Sequence, residues 1–206
     1  MTEHNLVRIR AVLPDSATLI AVTKGVQIEQ IRQAYDAGQR DFGESRLQEA
    51  VPKIEALPKD IVWHFIGHLQ SNKVKAVAKH FDVVHTLYSE SQLRELAKIE
   101  GEVDALIEVN IGEEPQKSGI LPGSLDRFIQ SVLECKHVRL KGLMTVGPAH
   151  PNAEDMRPYF TRLRKMSEKV GKDAWLSMGM SNDFEVAIQE GPTHIRVGSA
   201  IFGART

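Results

Sequence analysis

Thr18-Leu19-Ile20-Ala21-Val22-Thr23-Lys24-Gly25 is the stretch from which the rest of the chain can be read. Four consecutive apolar residues, Leu19 to Val22, lack the alternation of a half-exposed strand and read as a strand buried on both faces, as in a parallel sheet covered by helices. The run stops at Lys24, with Gly25 directly after it. At the end of a buried strand an ammonium loses hydration, which favours the neutral amine, and a neutral amine can attack an aldehyde to form an imine. The alternative is a lysine whose stem lies on apolar surface while its head reaches water. This segment alone leaves both readings open.

Working outward, Leu6, Ile9 and Leu13 recur at helical spacing until Pro14, so a short amphipathic helix precedes the first strand and is expected to cap one end of the fold. After Lys24, the residues Ile28, Ile31 and Tyr35 share a helical face that Gly38 ends. A short strand through Phe42 and a helix bearing Leu47, Ala50, Val51 and Ile54 follow. The alternation continues with a strand over 61–66, a polar loop over 67–72 and a helix with Val74, Val77, Ala78 and Phe81 inward. The next strand covers 82–87, and Ser89 with Gln92 makes a capping box for a helix carrying Leu93, Leu96 and Ala97. A strand over 105–111, a loop over 112–123, a helix with Leu125, Phe128, Ile129, Val132 and Leu133, and a strand over 138–146 come next. The last units are a long polar helix over 153–170, a strand over 175–178, a helix over 184–188 and a strand over 194–197 ahead of Ile201 and Phe202. Eight strand-helix units without a low-complexity linker point to an α/β fold, a single (β/α)8 TIM barrel spanning 1–206, with an open doubly wound sheet as the alternative.

The composition suits one domain. With 206 residues, 26% charged side chains and a formal net charge of −1, nothing draws the chain toward nucleic acid or an anionic membrane. The lone Cys135 excludes an internal disulfide and reads as a structural thiol in a reducing compartment. The first ten residues lack the apolar core of a signal peptide, and no stretch approaches the roughly 18 apolar residues of a membrane span. A soluble, cytoplasmic protein is expected.

In a barrel, strand C-termini and the loops after them converge on one mouth. Here they carry Lys24; Gly43 to Arg46; Gly67, His68, Gln70, Ser71, Asn72 and Lys73; Asn110; Met144, Thr145 and Gly147; Ser177 to Ser181; and Arg196 to Ser199. The last two segments are rich in Gly and Ser and follow the seventh and eighth strands, where barrels commonly hold phosphate. A lysine facing a phosphate clamp suits pyridoxal 5′-phosphate (PLP), and equally a phosphorylated sugar handled by a Schiff-base aldolase.

Ala21-Val22-Thr23-Lys24, Asp41-Phe42-Gly43-Glu44-Ser45-Arg46, His64-Phe65-Ile66-Gly67-His68-Leu69-Gln70-Ser71-Asn72-Lys73, Pro115-Gln116-Lys117-Ser118-Gly119, Gly142-Leu143-Met144-Thr145, Ser177-Met178-Gly179-Met180-Ser181 and Arg196-Val197-Gly198-Ser199-Ala200-Ile201-Phe202-Gly203 closely resemble the pyridoxal phosphate homeostasis protein family, across nearly the whole chain. The resemblance implies a barrel of the alanine-racemase N-terminal-domain type, fold type III among PLP proteins, with PLP held as an imine on Lys24. It also implies a phosphate site at Ser177 to Ser181 and Gly198-Ser199, and Arg196 against the pyridine nitrogen. The cofactor-binding set is thus read as Lys24, Asn72, Met144, Ser177, Met178, Gly179, Ser181, Arg196, Gly198 and Ser199. Such proteins are monomers regarded as non-catalytic; they keep free PLP low, pass it to PLP-dependent apoenzymes and influence amino-acid and keto-acid balance. The chain departs from the family pattern at Ser45, often Asn or Tyr, and at Asn182, often Asp.

Absence of catalysis is expected on a further ground. Alanine racemases use a second acid/base, a tyrosine from a separate β domain of the partner subunit, on the other cofactor face. Here the sequence reaches Thr206 directly after the eighth unit, and Tyr35, Tyr88 and Tyr159 fall in or beside helices. A PLP-dependent racemase or lyase is the alternative. His64, His68 and His85 lack a carboxylate at ligand spacing, so no metal site is expected. Lys73 and Lys75 read as a solvated helix start, and Met144, Met178 and Met180 as pocket lining. Glu44 reads as a general base or as a charge at a helix start, and Arg205 as an ion-pair partner for a carboxylate.

Overall fold

The apolar runs become strands in the computed structural model, which describes residues 1–203. They are β1 (Thr18–Val22), β2 (Asp41–Glu44), β3 (Val62–Phe65), β4 (Val83–Leu87), β5 (Val103–Glu108), β6 (Val138–Met144), β7 (Trp175–Met180) and β8 (His194–Val197). Helix α1 (Thr2–Val12) precedes them. Between and after them lie α2 (Ile28–Asp36), α3 (Leu47–Ala56), α4 (Val74–His80), α5 (Glu90–Leu96), α6 (Leu125–Glu134), α7 (Arg157–Ser167), α8 (Phe184–Gln189) and α9 (Ser199–Phe202). The strands pair in chain order and the ring closes where β8 meets β1, in parallel, with Thr18 opposite His194 and Ile20 opposite Arg196. Closure excludes the open sheet.

Two layers of apolar packing follow from the period of two along each strand. Ala105 and Ile107 join the main core, which includes Leu6, Ile31, Phe42, Leu125 and Phe160 and lies between sheet and helices. Leu106, between them in sequence, faces the other way and packs with Val83 and Met144 inside the ring. Helix α1 packs against α2 and α9; Arg10 donates to Ala37 O at 2.8 Å, and the Asn5 amide donates to Ile201 O at 2.9 Å.

Element boundaries depart from the sequence reading where polar side chains or proline intervene. Strand β5 runs from Val103 to Glu108 instead of 105–111, because Asn110 turns the chain: its amide donates to Glu114 O at 2.8 Å and its Oδ1 accepts the Glu114 N–H at 3.1 Å. The helix expected over 153–170 divides into a 3-10 turn, Ala153–Met156, and α7, whose first turn holds Pro158, the position proline tolerates best. Strand β7 continues to Met180, past the expected end at 178, through a bulge in which three residue steps on β7, from Ser177 to Met180, face two on β8, from His194 to Arg196. The Ser89–Gln92 capping box forms as the spacing predicts. Cys135 caps the end of α6 and is half-buried, and Arg205 lies outside the described residues.

Candidate functional site

The ends of β1, β7 and β8 open into one cavity of about 580 Å³, within the range of small-molecule sites. Lys24, Ser181, Arg196, Gly198 and Ser199 line it, so half of the sequence-read set meets in one place. Ser45 and Asn182, the two departures from the family pattern, also lie on its wall. The other five do not line it. Asn72 is exposed beyond β3, and Gly179, at φ 90°, turns the end of β7 with no room for a Cβ, which would meet Ala187 Cβ at 2.6 Å. Met144, Ser177 and Met178 are 1%, 0% and 0% exposed and belong to the packed interior. Of the three methionines read as pocket lining, only Met180 reaches the cavity.

Lys24 is held through its backbone neighbours. The Thr23 N–H donates to Gly43 O at 2.9 Å and the Thr23 hydroxyl to Glu44 Oε1 at 2.7 Å. Lys53 Nζ, buried on the inner face of α3, donates to Thr23 O, Glu44 Oε1 and Glu49 Oε1 at 2.8, 2.7 and 2.8 Å. Glu49 also accepts the Gly25 N–H. The residues on both sides of Lys24 are thus clamped by one ion-paired cluster. Burial pushes the Glu44 carboxyl up, against the Lys53 and Thr23 hydrogen bonds. Burial also acts on Glu49, where hydrogen bonds from Lys53 and Gly25 prevail and hold it low. Glu44 neither lines the cavity nor starts α3, whose cap is Arg46, so both sequence readings of it are corrected: it anchors the clamp. Lys53 was invisible in the sequence because a lysine on a helix is ordinarily read as solvated.

Arg196 is 4% exposed and forms part of the cavity lining. Its guanidinium donates to Ser177 Oγ at 2.6 Å and to Thr145 O at 2.7 Å. Burial pulls it down to about 10, with Asp183 and Glu108 opposing, so it stays cationic at neutral pH. Glu108, two residues after Leu106 at the end of β5, faces the same interior. Burial raises its carboxyl to about 7 against the field of Arg196, and its Oε2 is buried with no protein partner. The sequence reading omitted Glu108, although a carboxylate at the end of an apolar strand was a visible signal.

The loops after β7 and β8 meet around Ser181. Its Oγ accepts the Gly198 N–H at 3.2 Å and the Ala200 N–H at 3.4 Å, both long for such bonds. Gly198 packs closely on β1, where a Cβ would sit 3.3 Å from Val22 O.

Residues 2–206 match the alanine racemase N-terminal domain family. The protein of Aquifex aeolicus named pyridoxal phosphate homeostasis protein is 42% identical over 199 residues, covering 92% of this chain and 87% of its own. The Escherichia coli K12 protein of that name is 38% identical over 232 residues, covering 98% and 96%. The chain belongs to the pyridoxal phosphate homeostasis protein family. Among solved structures, PipY of Synechococcus elongatus with PLP bound superposes with a TM-score of 0.88 at 34% identity, covering 98% of this chain and all of that one. Alanine racemase of Corynebacterium glutamicum shares the fold alone, with a TM-score of 0.77 at 14% identity over 99% of this chain and 61% of the enzyme. The racemase-type barrel is therefore the architecture of this family member. No helix among the described residues is long and apolar enough to cross a membrane.

Proposed function

We propose that this protein binds pyridoxal 5′-phosphate and serves its homeostasis, as a cytoplasmic, monomeric holder that passes the cofactor to PLP-dependent apoenzymes. The observation that carries the reading is that Lys24, Arg196 and the Ser181–Gly198–Ser199 rim share one cavity. The donor set fits the group: an amine for the aldehyde carbon, a cationic donor for the ring nitrogen, and N–H groups held by a neutral hydroxyl at distances that an anionic oxygen would improve on. Lys24 is the covalent anchor, Arg196 faces the ring nitrogen, and Ser181, Gly198 and Ser199 hold the phosphate. When bound, PLP supplies an electron sink whose strength depends on a protonated pyridine nitrogen. Arg196, cationic and buried, opposes that protonation.

The test is spectroscopic. The full chain mixed with PLP acquires a visible absorption band, and borohydride followed by peptide mapping places the added mass on Lys24. Lys24→Ala abolishes both. A band that survives Lys24→Ala overturns the anchor. A racemase or lyase is the second reading, in which Glu108, buried outside the cavity lining in the field of Arg196, would have to carry the proton. Amino-acid turnover lost in Glu108→Gln would establish it.

A further inference from the structure

The interior of the barrel holds a line of polar groups that the site does not account for. From the cavity floor toward the opposite rim, Arg196 donates to Ser177 Oγ at 2.6 Å, Ser177 Oγ meets His85 Nδ1 at 2.9 Å, His85 Nε2 meets His64 Nδ1 at 2.9 Å, and His64 Nε2 meets Asp41 Oδ1 at 3.0 Å. Ser177, His85 and His64 are 0%, 0% and 1% exposed, whereas the Asp41 side chain, on the first residue of β2, is 27% exposed. The line therefore runs from solvent at the strand N-termini to the floor of the cavity.

Its two ends dictate its direction. A guanidinium has only donors and an ionised carboxylate only acceptors. Ser177 Oγ accepts from Arg196 and keeps one proton and one lone pair for His85 Nδ1, so the Asp41 end decides. With both rings neutral, the Asp41 carboxylate takes the His64 Nε2–H, His64 Nδ1 therefore accepts the His85 Nε2–H, and His85 Nδ1 accepts the Ser177 hydroxyl proton. In a neutral ring a proton on either Nδ1 would leave Nε2 bare and set acceptor against acceptor, His64 against Asp41 or His85 against His64. Burial, together with His64, His194 and Arg196, holds His85 well below the usual histidine range, in keeping with a neutral ring. His194 lies beside both rings at 6.0 Å between centroids, but its Nδ1 is engaged by the Thr193 hydroxyl, 2.8 Å away. The line cannot relay protons, because Arg196 accepts none. It can only orient.

We propose that Ser177, His85 and His64 are positioning residues for Arg196, a one-way hydrogen-bond chain anchored on Asp41 that aims the guanidinium at the ring nitrogen of the bound pyridine ring. This rests on the cofactor reading above, and it places Ser177 under the ring instead of at the phosphate. Arginine has several soft torsions, and a side chain fixed from behind loses less freedom when a ligand docks.

Two measurements test it. In the full chain without cofactor, long-range proton–nitrogen spectra of labelled histidines show the ring proton of His64 and of His85 on Nε2 and none on Nδ1. An Nδ1–H tautomer or an imidazolium at either overturns the chain. With PLP, Ser177→Ala and His85→Leu each weaken binding about tenfold and shift the visible band, and the double variant is no worse than the worse single. His85→Asn, whose amide oxygen can accept the Ser177 proton, recovers most of the loss. Leu106→Ala, a packing change in the same interior, lowers thermal stability without moving the band. Additive losses, or an unmoved band in His85→Leu, overturn the proposal. A wild-type chain that binds no PLP fails the cofactor reading and with it the aim toward the ring nitrogen, while the tautomers still decide whether the chain exists.

Discussion

Lys53 Nζ stands 2.8 Å from the carbonyl oxygen of Thr23, the residue directly before Lys24, so a buried cation on α3 fixes the backbone that presents the candidate anchor. The same amine bridges Glu44 and Glu49, with the Lys53 side chain 7% and Glu44 0% exposed. Removing one partner of a buried pair leaves the other charge uncompensated. Lys53→Met is expected to cost about 3–5 kcal/mol in urea unfolding, and adding Glu44→Gln to recover more than half of it. A loss below about 1 kcal/mol would show that the clamp contributes no more than a surface pair does.

Glu108 gives the stability a dependence on pH at its upper limb. Its carboxyl sits at about 7 in the fold against 4.5 in the unfolded chain, so the folded state binds the proton more tightly. The contribution is present in full below 4.5 and is lost as pH rises through about 7. Glu108→Gln keeps the shape and is expected to flatten that decline, worth on the order of 3 kcal/mol. Unfolding curves at a series of pH values would reveal an unchanged slope if the carboxyl were ionised throughout.

His194 acts on the acid limb with the opposite sign. Burial and the nearby His64 hold it at about 3 in the fold, below the ordinary 6.5, with Asp41 opposing. Its contribution is present above 6.5 and disappears as pH falls toward about 3. His194→Asn should make acid unfolding less steep, and the lowered His85 keeps part of the slope in place. Acid titration followed by circular dichroism measures both.

Ser181→Ala removes the hydroxyl that gathers the Gly198 and Ala200 N–H groups. Affinity for PLP is expected to fall about tenfold, as for loss of one charge-assisted hydrogen bond, while affinity for pyridoxal, which lacks the phosphate, stays the same. Equal losses for the two ligands would place the phosphate elsewhere.

By itself the sequence determined the number and order of strand-helix units, the lysine that ends β1 and the small-residue segments after β7 and β8, because these depend on residue type and spacing along the chain. It also predicted the Ser89–Gln92 box, whose partners are three residues apart. Only the tertiary structure decided ring closure, the turn at Asn110, which side of the sheet Ser177 and Glu108 would face, and that Lys53 would turn inward from α3. Ser177 looked like an anion donor two residues before a glycine, but the alternation along β7 puts it on the inner side of the ring with Trp175, against a histidine 92 positions away in sequence. A partner that distant leaves no local pattern. Its identity emerges only when eight strands close a ring and bring Asp41, His64, His85, Ser177 and Arg196 into contact across five of them.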